Sequence, residues 1–280
     1  MTIRLIPNTP VEEYTVKGQT VLVKREDRAT PYPGPPFSKV RGLVPYLWDL
    51  KELGFTTIGY VETSVSMAGW GVAWACYHLG LECILWDPQY EKTPPLLRYH
   101  RKQWKKFNPK ILPIKAGMAA VNYNIAAKEV RKTPDCFLLP LGLPLPYTVM
   151  ETAKIARETW NSNVFRTVVT SVGSGTICAG LLKGLPGDVK IFGVMTRTGS
   201  SKHKAKTIHK KAHIPIGGFL GNKNLSVVDP GWRYADRSSW PCPFPCHPWY
   251  DRKAWQWLDQ WMGMQQMDGP VMFWNIGRVR

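Results

Sequence analysis

The stretch Thr56-Thr57-Ile58-Gly59-Tyr60-Val61, followed by Glu62-Thr63-Ser64-Val65-Ser66-Met67-Ala68-Gly69-Trp70-Gly71, then residues 72–79, Gly80 and Cys83-Ile84-Leu85-Trp86, decides the fold. The first run is apolar and of strand length. Residues 72–79 read as a buried helix closed by a glycine, and Cys83-Ile84-Leu85-Trp86 as a second strand. Strand, small-residue loop, helix, strand is a βαβ unit. It demands a parallel sheet, whose ligands gather at the carboxyl ends of the strands.

The same pattern continues in both directions. Upstream lie a strand around Val21-Leu22-Val23, a Pro-rich turn and a helix over residues 43–53. Downstream the spacing predicts a strand at 111–114, a helix at 119–130 and a strand at 136–139, before the Pro/Gly-rich residues 140–146 cross to another domain. A helix at 148–159, a strand at 167–170, a helix at 177–182 and a strand at 189–195 follow. No internal repeat interrupts this α/β alternation. The tryptophans of the last fifty residues (232, 240, 249, 255, 257, 261 and 274) read as packing residues rather than a ligand-stacking box.

Composition narrows the class. With 280 residues and 44% hydrophobic content the chain can bury a large core. No window approaches 18 uncharged apolar residues and the first residues lack a signal-peptide core, so the expectation is a soluble, cytoplasmic protein with no membrane partner. The six cysteines follow no disulfide-framework spacing and read as reduced thiols; Cys242-Pro-Phe-Pro-Cys246-His247 has no second ligand pair, so no metal is expected. Thirty-seven basic against 20 acidic residues leave a net charge of +17. Such an excess points to a polyanionic partner. It is concentrated in two acid-free segments: Arg98, Arg101, Lys102, Lys105 and Lys106 with Tyr99, Trp104 and Phe107 among them, and Lys202, Lys204, Lys206, Lys210 and Lys211.

Two stretches carry chemistry. In Pro35-Pro36-Phe37-Ser38-Lys39-Val40-Arg41-Gly42-Leu43 a lysine stands between a Pro-rich turn and a helix start, where desolvation favours the nucleophilic neutral amine. Gly173-Ser174-Gly175-Thr176 lies between a buried strand and a helix, where close-approaching backbone, helix-terminal amides and hydroxyls suit a phosphate. It matches neither the P-loop nor the Gly-x-Gly-x-x-Gly pattern.

An early lysine, a Ser/Thr/Gly loop before a helix and a glycine-rich loop past the middle together resemble the pyridoxal-phosphate enzymes of fold type II, the tryptophan synthase β-like fold. Within that family the chain is similar to the aminocyclopropane-carboxylate deaminase and D-cysteine desulfhydrase branch. Lys24-Arg25-Glu26-Asp27 stands for its Lys-Arg-x-Asp, Ser38-Lys39-Val40-Arg41 for its Asn-Lys-x-Arg, and His247-Pro248-Trp249-Tyr250-Asp251-Arg252-Lys253 for its Asp-Pro-Val-Tyr-x-Gly-Lys. The resemblance implies a two-domain α/β protein with parallel sheets flanked by helices and pyridoxal 5'-phosphate in the cleft. The larger, cofactor-binding domain is made of 1–44 and 150–280, with 45–149 inserted, and a homodimer is expected. It also implies that Lys39 forms the internal imine, that Gly173, Ser174, Gly175 and Thr176 hold the phosphate, and that Ser66, with Thr63 and Ser64, lies near the substrate carboxylate. Tyr250 becomes the active-site tyrosine and Asp251 the residue beside the pyridine nitrogen. Two departures stand out: Ser66-Met67-Ala68 replaces the family's Ser-Asn-His, so the amide toward the cofactor's ring oxygen is missing, and the glycine loop is one glycine short.

A carboxylate beside the pyridine nitrogen keeps it protonated and deepens the electron sink, which favours chemistry through a full Cα carbanion such as decarboxylation. The charge adds a nucleic acid. The chain resembles the bacteriophage enzymes that use this cofactor on an amino-acid adduct of thymine in DNA, removing its carboxylate, with Lys39 or Tyr250 returning a proton to Cα and the two basic segments holding phosphates. Two other readings stay open: a deaminase or desulfhydrase acting on a free amino acid, and a non-catalytic nucleic-acid-binding protein on the same fold.

Overall fold

The structure, a computed structural model, describes residues 6–215 and 224–279. Its elements in chain order are β1 (Val11–Val16), β2 (Gln19–Lys24), α1 (Val40–Glu52), β3 (Thr57–Val61), α2 (Ala68–Leu79), β4 (Glu82–Gln89), α3 (Pro95–Trp104), β5 (Lys110–Lys115), α4 (Ala119–Val130) and β6 (Cys136–Leu138). After these come α5 (Pro146–Ser162), β7 (Thr167–Val172), α6 (Thr176–Gly184), β8 (Lys190–Met195), α7 (Ser201–Ala212), β9 (Leu225–Val228), α8 (Asp251–Met262) and β10 (Val271–Trp274). The chain divides into two compact units. One holds Met1–Thr30, Pro36–Arg41 and Pro146–Arg280, the other Pro31–Pro35 and Gly42–Leu145. Among the described residues no helix is long and apolar enough to cross a membrane.

The first unit is built on a six-stranded sheet, β1-β2-β10-β7-β8-β9, parallel except for the β1–β2 hairpin. Side chains alternate across it with the period of a strand. Leu22, Val168, Val172, Ile191, Met272 and Trp274 pack under residues of α5, α6 and α7, whereas Val21, Val23, Val169, Val194, Val271 and Phe273 pack against α8 and Phe244. Covered on both faces, β7 and β10 are buried throughout, which is why they read as continuous apolar runs. The terminal tryptophans serve this layer: Trp255 and Trp274 are buried, and Trp257 stacks on Trp261 at 5.1 Å.

The second unit has a four-stranded parallel sheet, β5-β4-β3-β6. A Cβ at Gly59 would lie 2.8 Å from the Trp86 ring on the neighbouring strand, so that position requires glycine. The helix expected from residue 72 begins four residues earlier, at Ala68. The Glu62 carboxylate accepts from the Gly69 N–H at 2.8 Å and supplies a terminus that the small residues do not advertise.

One buried ionic network shapes the stretch around Lys39. Arg41 forks onto Glu26 at 2.7 and 3.1 Å, and Arg25 onto Asp27 at 2.8 Å through two nitrogens. Thr9 Oγ1 also donates to Glu26, and Asn275 Nδ2 to Asp27 at 3.0 Å. The two carboxylates and both guanidinium groups are at most 8% exposed. Removing one partner strands a buried charge, whereas replacing a pair with apolar groups of similar volume does not. Glu26→Ala is expected to lower the unfolding free energy by about 3–5 kcal/mol in urea denaturation, with the double variant Glu26→Leu/Arg41→Met recovering most of it. A single-variant cost below about 1 kcal/mol would contradict this account.

Candidate active site

Lys39 is the last residue before α1, and its position is set by the segment after β10. Ser38 N–H donates to Ile276 O at 3.0 Å, Arg278 N–H to Pro36 O at 3.2 Å, and Phe37 and Gly277 form an antiparallel bridge. The same segment holds Asp251 at the start of α8: its carboxylate accepts from the N–H groups of Ile276 and Gly277 at 3.1 Å each and from Ser171 Oγ at 3.0 Å. Asp251 is 1% exposed. Burial, outweighing these donors, pushes its carboxyl up to about 7.

From Ser171 the chain leaves β7 and enters the glycine loop. Gly175 has φ +80°, and a Cβ there would lie 2.9 Å from Ile208 of α7, whereas one at Gly173 would meet only Thr196 Oγ1 at 4.0 Å. Glycine is thus required at 175 by conformation and packing, and at 173 it leaves open space. Thr176 opens α6, whose first amides have no intrahelical acceptors. Lys39 Nζ is 3.4 Å from Ser174 Oγ, which is 3.0 Å from Thr176 Oγ1. Burial, with the Lys211 ammonium nearby, brings Lys39 down to about 8. An open glycine turn, a helix N-terminus, two hydroxyls and ammonium groups are a donor set that fits a phosphate ester beside an amine.

The basic segment on α7 splits by helical face. Lys202, Lys206 and Lys210, spaced by four, are exposed. Lys204 and Lys211 flank Ile208 on the opposite face, and both amines turn onto the glycine loop: Lys204 Nζ donates to Gly173 O at 2.9 Å, and Lys211 Nζ to Ser174 O at 2.5 Å and Thr176 Oγ1 at 3.2 Å. The helical period thus sets these two amines apart from the other three lysines. On α3, Arg98 and Lys102 are exposed, as are Lys105 and Lys106 just beyond it. Arg101 is instead held by Asp87 at 2.9 Å, so its guanidinium already serves a half-buried pair. Lys106 Nζ donates to Tyr32 OH at 2.6 Å, and that ring is 65% exposed.

Tyr250 OH is 2.7 Å from Tyr234 OH, and the Tyr250 ring centroid lies 4.8 Å from that of His247. Lys253, quoted above only as part of a motif, is buried and ties Thr196 O to Arg233 O at 2.9 Å each. In the second unit, Ser66 Oγ accepts from Ala68 N–H at 3.0 Å, and Met67 is 6% exposed at the start of α2. Thr63 and Ser64 are half-buried. The residue that shapes this loop is Glu62, which sequence reasoning missed. Its oxygens accept from Thr63 N–H at 2.7 Å and Gly69 N–H at 2.8 Å, holding both ends, and burial raises its carboxyl to about 8.

These shifts make stability depend on pH with opposite signs. Between about 8 and its ordinary 10.5, Lys39 binds more protons in the unfolded chain, so its ammonium penalises the fold below 8 and is relieved as pH rises. Glu62 acts the other way, favouring the fold at low pH and losing that advantage between 4.5 and about 8. Apoprotein carrying Lys39→Met is expected to melt higher than the parent at neutral pH, with the difference closing above pH 8. Calorimetry across pH would also show Glu62→Gln gaining on the parent from weakly acid to weakly alkaline solution. Parallel profiles would contradict both assignments.

The chain and its fold both have relatives among known proteins. The chain is 37% identical over 98% of its length to the glycyl-dTMP PLP-dependent decarboxylase of Pseudomonas phage M6, covering 99% of that protein. Its fold is similar to that of a crystallised ACC deaminase homologue (TM-score 0.78, 19% identity, 98% of this chain and 91% of that one). It is also similar to that of a hydrogen sulfide-producing enzyme from Fusobacterium nucleatum (TM-score 0.69, 16% identity, 99% and 97%). The family model described as pyridoxal-phosphate dependent enzyme matches residues 3–226, and this chain belongs to that family.

Proposed function

We propose that the protein removes the carboxylate of an amino-acid group attached to a thymine base, with the nucleotide carried in DNA. The observation that carries this reading is the full-length similarity to the phage protein whose name states that chemistry. When bound, pyridoxal phosphate supplies the electron sink for the pair left by the departing carboxylate. Asp251 supports it by holding a proton at the ring nitrogen. A carboxyl poised at about 7 and fixed by three donors would be a preorganised partner for that N–H. Lys39, desolvated, would hold the cofactor through its amine and, once that amine is free, would return a proton to Cα, with Tyr250 as the other donor. Ser66, Thr63 and Ser64 bind the substrate end, on a loop shaped by Glu62.

The nucleic acid is carried by exposed cations: Arg98, Lys102, Lys105 and Lys106 on one unit, and Lys202, Lys206 and Lys210 on the other. Tyr32, exposed beneath Lys106 at 4.6 Å, adds a face on which a base can stack. The site of action is then a host cytoplasm, and a homodimer, usual in this family, completes the reading.

The test is an oligonucleotide bearing a glycyl adduct on thymine, incubated with enzyme and cofactor and digested for mass spectrometry. The expected product has lost one CO2. Lys39→Ala should give none, and Asp251→Asn should slow turnover by about 10²-fold or more. Ammonia or sulfide released from free amino acids, with the DNA adduct unchanged, would overturn the reading in favour of deaminase-type chemistry. DNA affinity should fall steeply with salt and lose slope in Lys102→Gln/Lys105→Gln.

A further inference from the structure

Lys204 and Lys211 hold the glycine loop through its carbonyls. Two neutral donors would satisfy the same carbonyls, yet two ammonium groups sit there. The charge around them is one-sided. Arg197 repels Lys204, Lys204 repels Lys211, and Lys211 repels Lys39, and among the described residues no carboxylate offsets this at Lys204 or Lys211. Among the described residues neither Lys204 nor Lys211 makes an ion pair. Both are half-buried, so water screens this repulsion poorly. A loop that gathers cations without anions is matched to a ligand carrying the missing charge. The loop they grip is also the one that is a glycine short of the family pattern.

We propose that Lys204 and Lys211 form a cationic subsite for the dianionic phosphate of the cofactor, adding side-chain charge to a cradle that otherwise relies on backbone amides and hydroxyls. Lys211 is the principal member. With two of its three N–H groups on Ser174 O and Thr176 Oγ1, it is fixed at the loop and keeps one for the ligand. Lys204, held on Gly173 O, flanks the other end. The helical spacing of seven that brings both to one loop also brings Ile208 against Gly175, so the subsite is set by the packing of α7 on the loop. The inference concerns the cofactor alone and holds whichever reaction the enzyme performs.

A phosphate at this point has two sources, the dianionic monoester of the cofactor and the monoanionic diesters of the nucleic acid, and the experiment separates them. Dissociation constants are measured spectroscopically for pyridoxal phosphate and for pyridoxal, which lacks the phosphate, and their ratio isolates the phosphate. Lys211→Gln, which keeps a donor for Ser174 O but not the charge, is expected to reduce that ratio by about ten- to a hundred-fold, with pyridoxal affinity little changed. Lys211→Arg should retain most of it. Lys154→Gln, the same charge change at an exposed position on α5, should leave it intact. An unchanged ratio in Lys211→Gln, an equal loss for both ligands, or an equal effect of Lys154→Gln would overturn the proposal. So would reduced DNA affinity with the ratio intact, which would assign these lysines to nucleic-acid phosphates. Should Lys211→Gln fail to fold, Lys204→Gln is read by the same criteria.

Discussion

The segment from Asn275 to Arg278 is the constraint on which the site of the first unit depends. On one side it accepts and donates backbone hydrogen bonds to Pro36 and Ser38, and so places Lys39; on the other its amides fix the two oxygens of Asp251. It is held in turn by Asp27, which bonds Asn275 through backbone and side chain and pairs with Arg278. An amine and a carboxylate 212 residues apart in sequence are therefore located by one short stretch of chain. Such precision is costly in buried charge. Asp27 is tolerable without solvent because Arg25 meets it with a bidentate fork, the geometry in which a buried pair returns most of its desolvation cost.

Around that frame the chain accepts electrostatic strain where chemistry needs it. Lys39, Lys211, Glu62 and Asp251 are all pushed toward their neutral forms by burial. An amine near 8 keeps a usable neutral fraction at physiological pH, and a carboxyl near 7 can share a proton with a ring nitrogen of similar basicity. Lys39, Lys211 and Asp251 gather around the carboxyl end of β7 and the loop that follows, where a parallel sheet presents its ligand site, and Glu62 stands at the carboxyl end of β3 in the other unit.

The parallel α/β class and nearly every central strand were legible in the sequence because each rests on a local signal, an apolar run or a glycine before a helix; Lys39 and Gly173 stand beside such signals, whereas nothing local marks Asp251, which only the family resemblance singles out. What was not legible depended on distant partners. The β1–β2 hairpin went half unread because Glu12, Glu13 and Tyr14 on its edge strand carry no clear alternation. The start of α2 was displaced because Glu62, seven residues before Gly69, supplies its terminus. The tryptophans were read correctly as packing residues because tertiary burial in this region needs only bulk. The basic segments show the limit most plainly: composition located them, but Arg101 has a private carboxylate in Asp87, and a spacing of seven turns Lys204 and Lys211 away from the face of Lys202, Lys206 and Lys210.

That last division also bears on how charge is used. A net charge of +17 invites one explanation, a polyanion, for every lysine. The geometry separates two uses. Exposed cations on α3 and α7 act through a long-range field that salt screens, suited to holding a strand of phosphates without reading its sequence. Lys204 and Lys211 act at hydrogen-bond range on one loop, in a half-buried setting where salt has little purchase, suited to a single dianion at a fixed point. The substitution of Met67 for the family's amide is explained by nothing in the loop around it. In the reading proposed above, the missing amide leaves more of the hold on the cofactor to its phosphate and its ring nitrogen.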